Sequence, residues 1–410
     1  VAKLLYAGVT SAPVLVTDAG RGSALAFLRS LGRAGYPVIA ADADPRSPGF
    51  RSRHVQGRLV YPDPRREPQR FALALRDAVR ERDVRLVVPV TDETLLPLAQ
   101  ARKHFEGLCA LAIPEPSALE AVTDKWRTLE WAERLSIATP RTHLVCTAAE
   151  ALTAAEDLPA PYVLKPRRSR RLHDAGIESF EVAYARDQAE LAAAMHRFEG
   201  RCDVLLQELV RGAGVGVEVL ADAGRPLAVF QHRRLRELPV HGGRSSLREG
   251  VALDPSLYAA SARLLGALEW TGLAMVEWKL AERGPVLMEI NGRVWGSLPL
   301  AVASGVDFPR LLAELVLLGR PGAETAPATS YATGVRMRNL ELELRWIASM
   351  LLRRRHAFLP SPRRREVFAA LASLLDPRIG SDLQSLDDPG PGLADLARIA
   401  RRAMRRLRRG

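Results

Sequence analysis

The chain has 410 residues, 47% hydrophobic and 26% charged, with a formal net charge of +12. That length permits two or three domains around a sizeable core, and the absence of any run of about 18 apolar residues argues against a transmembrane helix. Three scattered cysteines, Cys109, Cys146 and Cys202, have no C-x-x-C spacing, so neither a disulfide framework nor a zinc site is indicated. With no basic–apolar–small signal pattern at the start, a reducing cytoplasm is the expected location.

The charge is uneven. Residues 331–410 hold 17 Arg against 8 Asp and Glu, a net +9, which leaves +3 for the first 330 residues. Only five lysines occur (Lys3, Lys103, Lys125, Lys165, Lys279) among 59 basic residues. In a chain so biased to Arg, each Lys draws notice, because a compact ammonium and a guanidinium fork are not interchangeable.

In chain order, residues 13–17 (PVLVT) predict a strand, and a turn with Gly20 and Gly22 leads into a helix ending near Gly35. Strands follow at 38–41, 86–90 and 108–113, the one at 86–90 ending in Thr91-Asp92-Glu93-Thr94, which reads as an N-cap and first helical turn. Strands alternating with helices predict a parallel, doubly wound sheet over residues 1–115. The stretch VLVTDAGRGSALA is close to the glycine-rich turn of NAD(P)-dependent short-chain dehydrogenases. Asp18 stands where those enzymes use Gly, no Tyr-x-x-x-Lys pair occurs, and an acid there would repel a pyrophosphate.

Two helical patterns meet at Thr123-Asp124-Lys125, and 162–166 (YVLKP) is a short strand stopped by Pro166. The loop 167–176 carries Arg167, Arg168, Arg170 and Arg171 and reads either as a phosphate clamp or as an exposed loop. After a β-run at 204–210 and a hairpin over 215–230, the segment from Gln231 to Ser246 offers Arg233, Arg234, Arg244, Ser245, His232 and His241. It is either an anion cradle or a basic surface loop. Residues 276–299 then predict two strands joined by a turn. Glu289 and Asn291, two apart, share a face, and the turn can bring Glu277 opposite them. Two carboxylates and an amide oxygen are hard ligands suited to Mg²⁺ against a polyphosphate; a solvated hairpin with surface charges is the plainer reading.

The segment MVEWK…PVLMEINGR resembles the metal-binding end of the ATP-grasp superfamily, especially its carbamoyl-phosphate-synthase-like and carboxylate–amine ligase branches. The resemblance runs over residues 13–320 in five elements: the Asp124-Lys125 helix opening, the Val163-Leu164-Lys165-Pro166 strand, the Gln207-Glu208 hinge, Glu277, and Glu289-x-Asn291. It implies a Rossmann-like domain at 1–115, an ATP-grasp domain at 116–320, and a linker with a basic helical extension at 321–410. It also implies ATP with Mg²⁺ (or Mn²⁺). Glu277, Glu289 and Asn291 would be the metal ligands, and Lys125 and Lys165 the phosphate contacts. Gln207, Glu208, Leu209 and Val210 would face adenine, and Arg293 the transferring phosphoryl group. The family's acidic ribose contact falls on Gly214, so that contact is not carried over. Arg233, Arg234, Arg244 and Ser245 would border the substrate.

The activity so implied is ATP-dependent ligation of a small-molecule carboxylate, through an acyl phosphate, to an amine or other nucleophile. The alternatives are an ATP-binding module without ligase activity and an NAD(P) oxidoreductase on the N-terminal turn. The Arg-rich tail admits three readings: helices packed on the body, contact with an anionic membrane at its inner face, or nucleic-acid contact, for which no binding signature is visible. A homodimer is a further expectation.

Overall fold

Short runs of Val, Leu, Ile and Ala buried on both sides are what parallel strands require, and the computed structural model pairs five of them. It describes residues 12–239, 242–319, 329–351 and 364–407. Strands β1 (Val14–Val16), β2 (Val38–Asp42), β3 (Gly57–Val60), β4 (Leu86–Val88) and β5 (Ala110–Leu111) form a sheet in the order β3-β2-β1-β4-β5. Every pairing in it is parallel. Helix α1 (Gly22–Arg33) covers one face through Leu25, Phe27 and Leu28. Helices α2 (Pro68–Glu81) and α3 (Asp92–Gln100) cover the other through Phe71, Leu75 and Leu98. β3 was not expected from the sequence: its Gly-Arg-Leu-Val pattern is half exposed at this sheet edge.

Helices α4 (Pro116–Thr123) and α5 (Lys125–Arg134) lead into a second sheet. Asp124 caps α5 by accepting from the Trp126 and Arg127 amides, the chemistry that starts a helix there. The sheet is antiparallel, in the order β10-β7-β11-β6, from β6 (Thr142–Val145), β7 (Tyr162–Pro166), β10 (Ala183–Ala185) and β11 (Val204–Glu208). Helices α6 (Ala148–Ala154) and α7 (Gln188–Met195) pack on it. The arginine-bearing loop at 167–176 is ordered as part of a separate hairpin, β8 (Arg170–His173) with β9 (Gly176–Ser179).

The third sheet has seven strands, β16-β15-β12-β13-β14-β17-β18. They are β12 (Ala213–Asp222), β13 (Arg225–Leu238), β14 (Arg244–Gly250), β15 (Gly272–Ala281), β16 (Gly284–Asn291), β17 (Arg336–Arg338) and β18 (Ile379–Ser381). Alternation splits their side chains cleanly. Val215, Val217, Val219, Val276 and Trp278 pack under helix α8 (Pro255–Ala267). Leu220, Phe230 and Met275 join helices α9 (Leu298–Ala303) and α10 (Phe308–Leu318) in the cluster that also holds α1. One core therefore ties the parallel sheet to the seven-stranded one.

The C-terminal region departs from the purely helical extension expected. Helices α11 (Leu340–Leu351), α12 (Arg364–Ser373) and α13 (Pro389–Leu407) are present, but β17 and β18 extend the sheet, β17 pairing with β14. Two arginines in a three-residue strand hide it from a pattern search; Met337 is buried, and Arg338 is tied to the carbonyls of Ser373, Asp376 and Ile379. The expected linker at 320–329 and the arginines at 353–355 and 363 lie outside the described residues, apart from Thr329.

The tail packs back on the body, the first of its three readings. Asp388 accepts from Arg29 Nε at 3.0 Å, from Ser52 Oγ at 2.7 Å and from the Arg53 amide at 2.9 Å, and its side chain is 1% exposed. Removing one partner of a buried pair strands the other charge. Asp388→Ala is therefore expected to lower unfolding free energy by about 3 kcal/mol in urea titrations; a change below about 0.5 kcal/mol, the usual surface value, would contradict this anchoring.

Candidate functional site

The β15–β16 hairpin places Glu277 directly opposite Glu289 and Met275 opposite Asn291, with a register irregularity just beyond Glu277. The two carboxylates thus project together, as their sequence separation predicts. Gly292 follows because no side chain fits: an added Cβ would stand 2.4 Å from the Trp270 ring and 2.6 Å from Val122. This close approach fixes the exit of β16 and the aim of Arg293 after it.

Glu277 is 2.6 Å from Arg234 Nη2 and accepts from Asn291 Nδ2 at 2.9 Å. Asn291 thereby spends its N–H on Glu277, which leaves its carbonyl oxygen to meet a cation. Burial alone would raise the Glu289 carboxyl; Lys125, Lys165, Arg234 and Arg293 together hold it below the usual range. Burial pushes the Lys165 ammonium down to about 8, opposed by Glu289 and reinforced by Lys125. Lys125 is likewise lowered by burial, with Glu289 and Asp92 opposing, and donates to Ser169 Oγ at 2.7 Å. Arg293 Nε donates to Asp92 Oδ1 at 2.9 Å, so the first residue of α3 orients it.

These groups border one cavity of about 510 Å³ between the second and third sheets, closed on one side by the carboxyl end of the parallel sheet. Gln207, Glu208, Leu209, Val210, Lys165, Glu277, Glu289, Asn291, Arg293, Arg234, Arg244 and Ser245 all line it, as do Thr91, Asp92 and Glu93. Lys125 stands behind the lining, close enough to be the strongest charge acting on Glu289. At the hinge, Gln207 Nε2 donates to Thr142 Oγ1 at 2.8 Å, and Glu208 accepts from the Arg141 amide at 2.9 Å while pairing with Arg283. Their side chains are committed, so the backbone is what a ligand can read. Lys279 Nζ donates to the Val210 carbonyl at 2.9 Å.

One predicted site residue is misplaced. Arg233 lies on the opposite face of β13, with Nε donating to Glu249 at 2.7 Å and its side chain half exposed. Successive strand residues alternate faces, so Arg234 and Arg233 cannot both point inward. The loop arginines are also divided: Arg167 and Arg168 are held by Asp124, Asp203 and Glu120, and only Arg170, paired with Glu93 at 3.1 Å, reaches the cavity. His241 lies outside the described residues.

His232, part of the anion-cradle reading, also lines the cavity, while further lining residues escaped the sequence reading. His232 is buried on the inward face of β13, with Nδ1 3.0 Å from the buried Glu218; its two-residue spacing from Arg234 was a usable signal. Arg21, Arg248, Asn339 and Asp382 also line the cavity, and no motif marks them. The N-terminal glycine turn, by contrast, is filled by the protein itself. Asp18 accepts from Thr17 Oγ1 at 2.8 Å, from the Thr91 amide at 3.1 Å and from Thr94 Oγ1 at 2.7 Å. The Gly20 amide donates to Asp42 at 2.8 Å. Two internal carboxylates in this turn disfavour a pyrophosphate, and with it the NAD(P) reading.

Residues 201–342 match the ATPgrasp_Ter family, described as ATP-grasp in the biosynthetic pathway with Ter operon. The chain is 24% identical over 291 residues to the carbamoyl phosphate synthase large chain of Deinococcus radiodurans, covering 68% of this chain and 27% of that protein. It therefore spans about a quarter of that relative. Among solved structures, it superposes on an N5-carboxyaminoimidazole ribonucleotide synthetase in an ADP complex with a TM-score of 0.62 at 13% identity, over 89% of this chain and 96% of that one. The biotin carboxylase domain of 2-oxoglutarate carboxylase from Hydrogenobacter thermophilus, solved with MgADP, ADP and bicarbonate, gives 0.59 at 18% identity, over 79% and 73%. The L-amino acid ligase of Bacillus licheniformis gives 0.58 at 17%, over 77% and 78%. The resemblance read from Lys125, Lys165, the hinge and the Glu-x-Asn strand thus holds: this chain has the ATP-grasp fold.

Proposed function

We propose that the protein is an ATP-dependent, ADP-forming ligase that activates a small-molecule carboxylate as an acyl phosphate for attack by an amine, a thiol or another nucleophile. One observation carries this reading: Lys165, Glu277, Glu289, Asn291 and Arg293, drawn from two sheets, meet in a single cavity. Phosphoryl transfer asks the protein mainly for positioning and for neutralisation of spreading negative charge. Lys165 and Lys125 would hold the phosphates, and the hinge backbone at residues 207–210 would take the adenine edge. Arg293, oriented by Asp92, would face the phosphoryl group as charge develops on it, with the β8–β9 hairpin limiting water.

The donor set fits Mg²⁺ (or Mn²⁺). Among the described residues no group of three His, Cys, Asp or Glu side chains converges, yet two carboxylates and an amide oxygen suit a cation that keeps waters and phosphate oxygens as its other ligands. Glu277, Glu289 and Asn291 would hold it, and its chemistry there would be polarisation of phosphoryl oxygens. The division into 1–115 (Rossmann-like), 116–320 and 321–410, a cytoplasmic location and a homodimer belong to the same reading. No described helix is long and apolar enough to cross a membrane.

The test is ADP release by purified protein with Mg-ATP and pools of carboxylates and amines. Release that depends on an added carboxylate is the expected result. Tight ADP binding with no release in any pool would favour a nucleotide-binding module instead.

A further inference from the structure

Six arginines line the cavity, and four have an acidic partner: Arg170 with Glu93, Arg234 with Glu277, Arg248 with Asp382, and Arg293 with Asp92. Arg21 and Arg244 have none among the described residues. They come from opposite parts of the chain, Arg21 at the head of α1 and Arg244 at the start of β14, yet both line the same cavity. After burial, the strongest influence on the Arg244 guanidinium is the Arg21 charge, then that of Arg345; both lower it and outrank the acids Glu341 and Glu181. Both side chains are exposed and the Arg21 charge also acts on Asp18 and Glu93, so water screens part of this repulsion; a bound anion would relieve the remainder.

A second observation is independent of those charges. Trp295 is fully buried and lines the same cavity, and its indole N–H has no acceptor. Arg248 Nε, 1% exposed, also lacks one. Buried donors left unsatisfied are costly and rare, and ligand oxygens would serve both. The head of α1 adjoins this end: Arg21 supplies no side-chain cap, and Gly22 and Ser23 line the cavity beyond the turn that Asp18 and Asp42 fill. Asp382 packs against Gly22, but its carboxylate is already engaged by Arg248 and by Asn339 Nδ2 at 3.2 Å.

We propose that this end of the cavity binds a second anionic group on the acceptor substrate, a phosphate or a carboxylate distinct from the one phosphorylated, gripped by Arg21 and Arg244 with Trp295 as a further donor. The inference deepens the ligase reading and rests on it for the word acceptor; the anion site itself stands apart. The strongest charges around Glu289 and Lys165 include neither Arg21 nor Arg244, so the two groups of cations in the cavity are drawn from different residues. The subsite also gives β17 and β18 a purpose in the active site, since Asp382, just after β18, pairs with Arg248 and is itself held by Asn339, just after β17.

Calorimetric titration of the full chain with inorganic phosphate and with succinate, in saturating Mg-ADP, tests this. Saturable binding of at least one is expected, and the tighter of the two identifies the group. Arg21→Ala and Arg244→Ala should each weaken it about tenfold, the value of one lost charge-assisted contact, and the double variant should abolish it. Arg244→Lys should recover part of the affinity, and Mg-ADP affinity should change less than about twofold, within the range that leaves a separate site untouched. No saturable binding of either anion, or unchanged binding in the double variant, would overturn the proposal. If Mg-ADP itself fails to bind, the ligase reading fails instead; anion binding by the nucleotide-free chain, lost in the double variant, would still uphold the anion site.

Discussion

Glu289→Gln is expected to reduce ATP turnover about 10³-fold, the scale of losing one preorganised electrostatic group at a phosphoryl or acyl centre. The substitution keeps the shape of the side chain and removes only its charge. Glu289 sits among Lys125, Lys165, Arg234 and Arg293, so its carboxylate both offers a metal ligand and balances those cations. Gln cannot balance them, and a small loss of stability is expected alongside the loss of turnover. Circular dichroism and a thermal melt separate the two effects. A folded Glu289→Gln protein with turnover close to that of the parent would refute the metal assignment.

The second large effect concerns Lys165. Its ammonium is held down to about 8 in the folded protein, against about 10.4 for a free lysine. Below pH 8 the folded state therefore carries a charge it disfavours, which costs stability. As pH rises from 8 toward the unfolded value, the folded chain gives up this proton while the unfolded chain keeps it, so this group's contribution to stability increases. Nucleotide binding has the opposite sign, because the nucleotide's phosphates need the ammonium. ADP affinity should fall about tenfold for each pH unit above 8. In Lys165→Met, affinity should be weak and flat across the same range. Titrations from about pH 7 to 9.5 check this, and an identical pH dependence in both proteins would remove Lys165 from the phosphate contacts.

Much of this site was legible in the sequence because its parts are short and local. Glu277 and Glu289 needed only a hairpin and strand alternation to meet, and both Lys125 and Lys165 sit at points where Asp124 or Pro166 marks an element boundary. Arg233 failed for an equally local reason: a pair of adjacent strand residues was assigned to one side. What could not be read is long-range. Asp382 and Asn339 reach the cavity only because β17 and β18 join the third sheet, and three-residue strands such as Arg-Met-Arg and Ile-Gly-Ser carry no periodic signal. The presence of Arg21 and Arg244 in one cavity depends on α1 packing against the seven-stranded sheet through a core assembled from residues 14 to 383. The N-terminal turn shows the converse: its glycines resemble a cofactor loop, and the acids Asp18 and Asp42, visible in the sequence, are what fill it.

The central claim is that Glu277, Glu289 and Asn291 together grip a divalent cation against a nucleotide's phosphates. Calorimetric titration of ADP with and without Mg²⁺, on the parent chain and on Glu277→Gln and Glu289→Gln, tests it most directly. The account predicts that Mg²⁺ tightens ADP binding in the parent and that the tightening is lost in either variant, while metal-free affinity is retained or improved. Equal Mg²⁺-dependent tightening in all three proteins would contradict it.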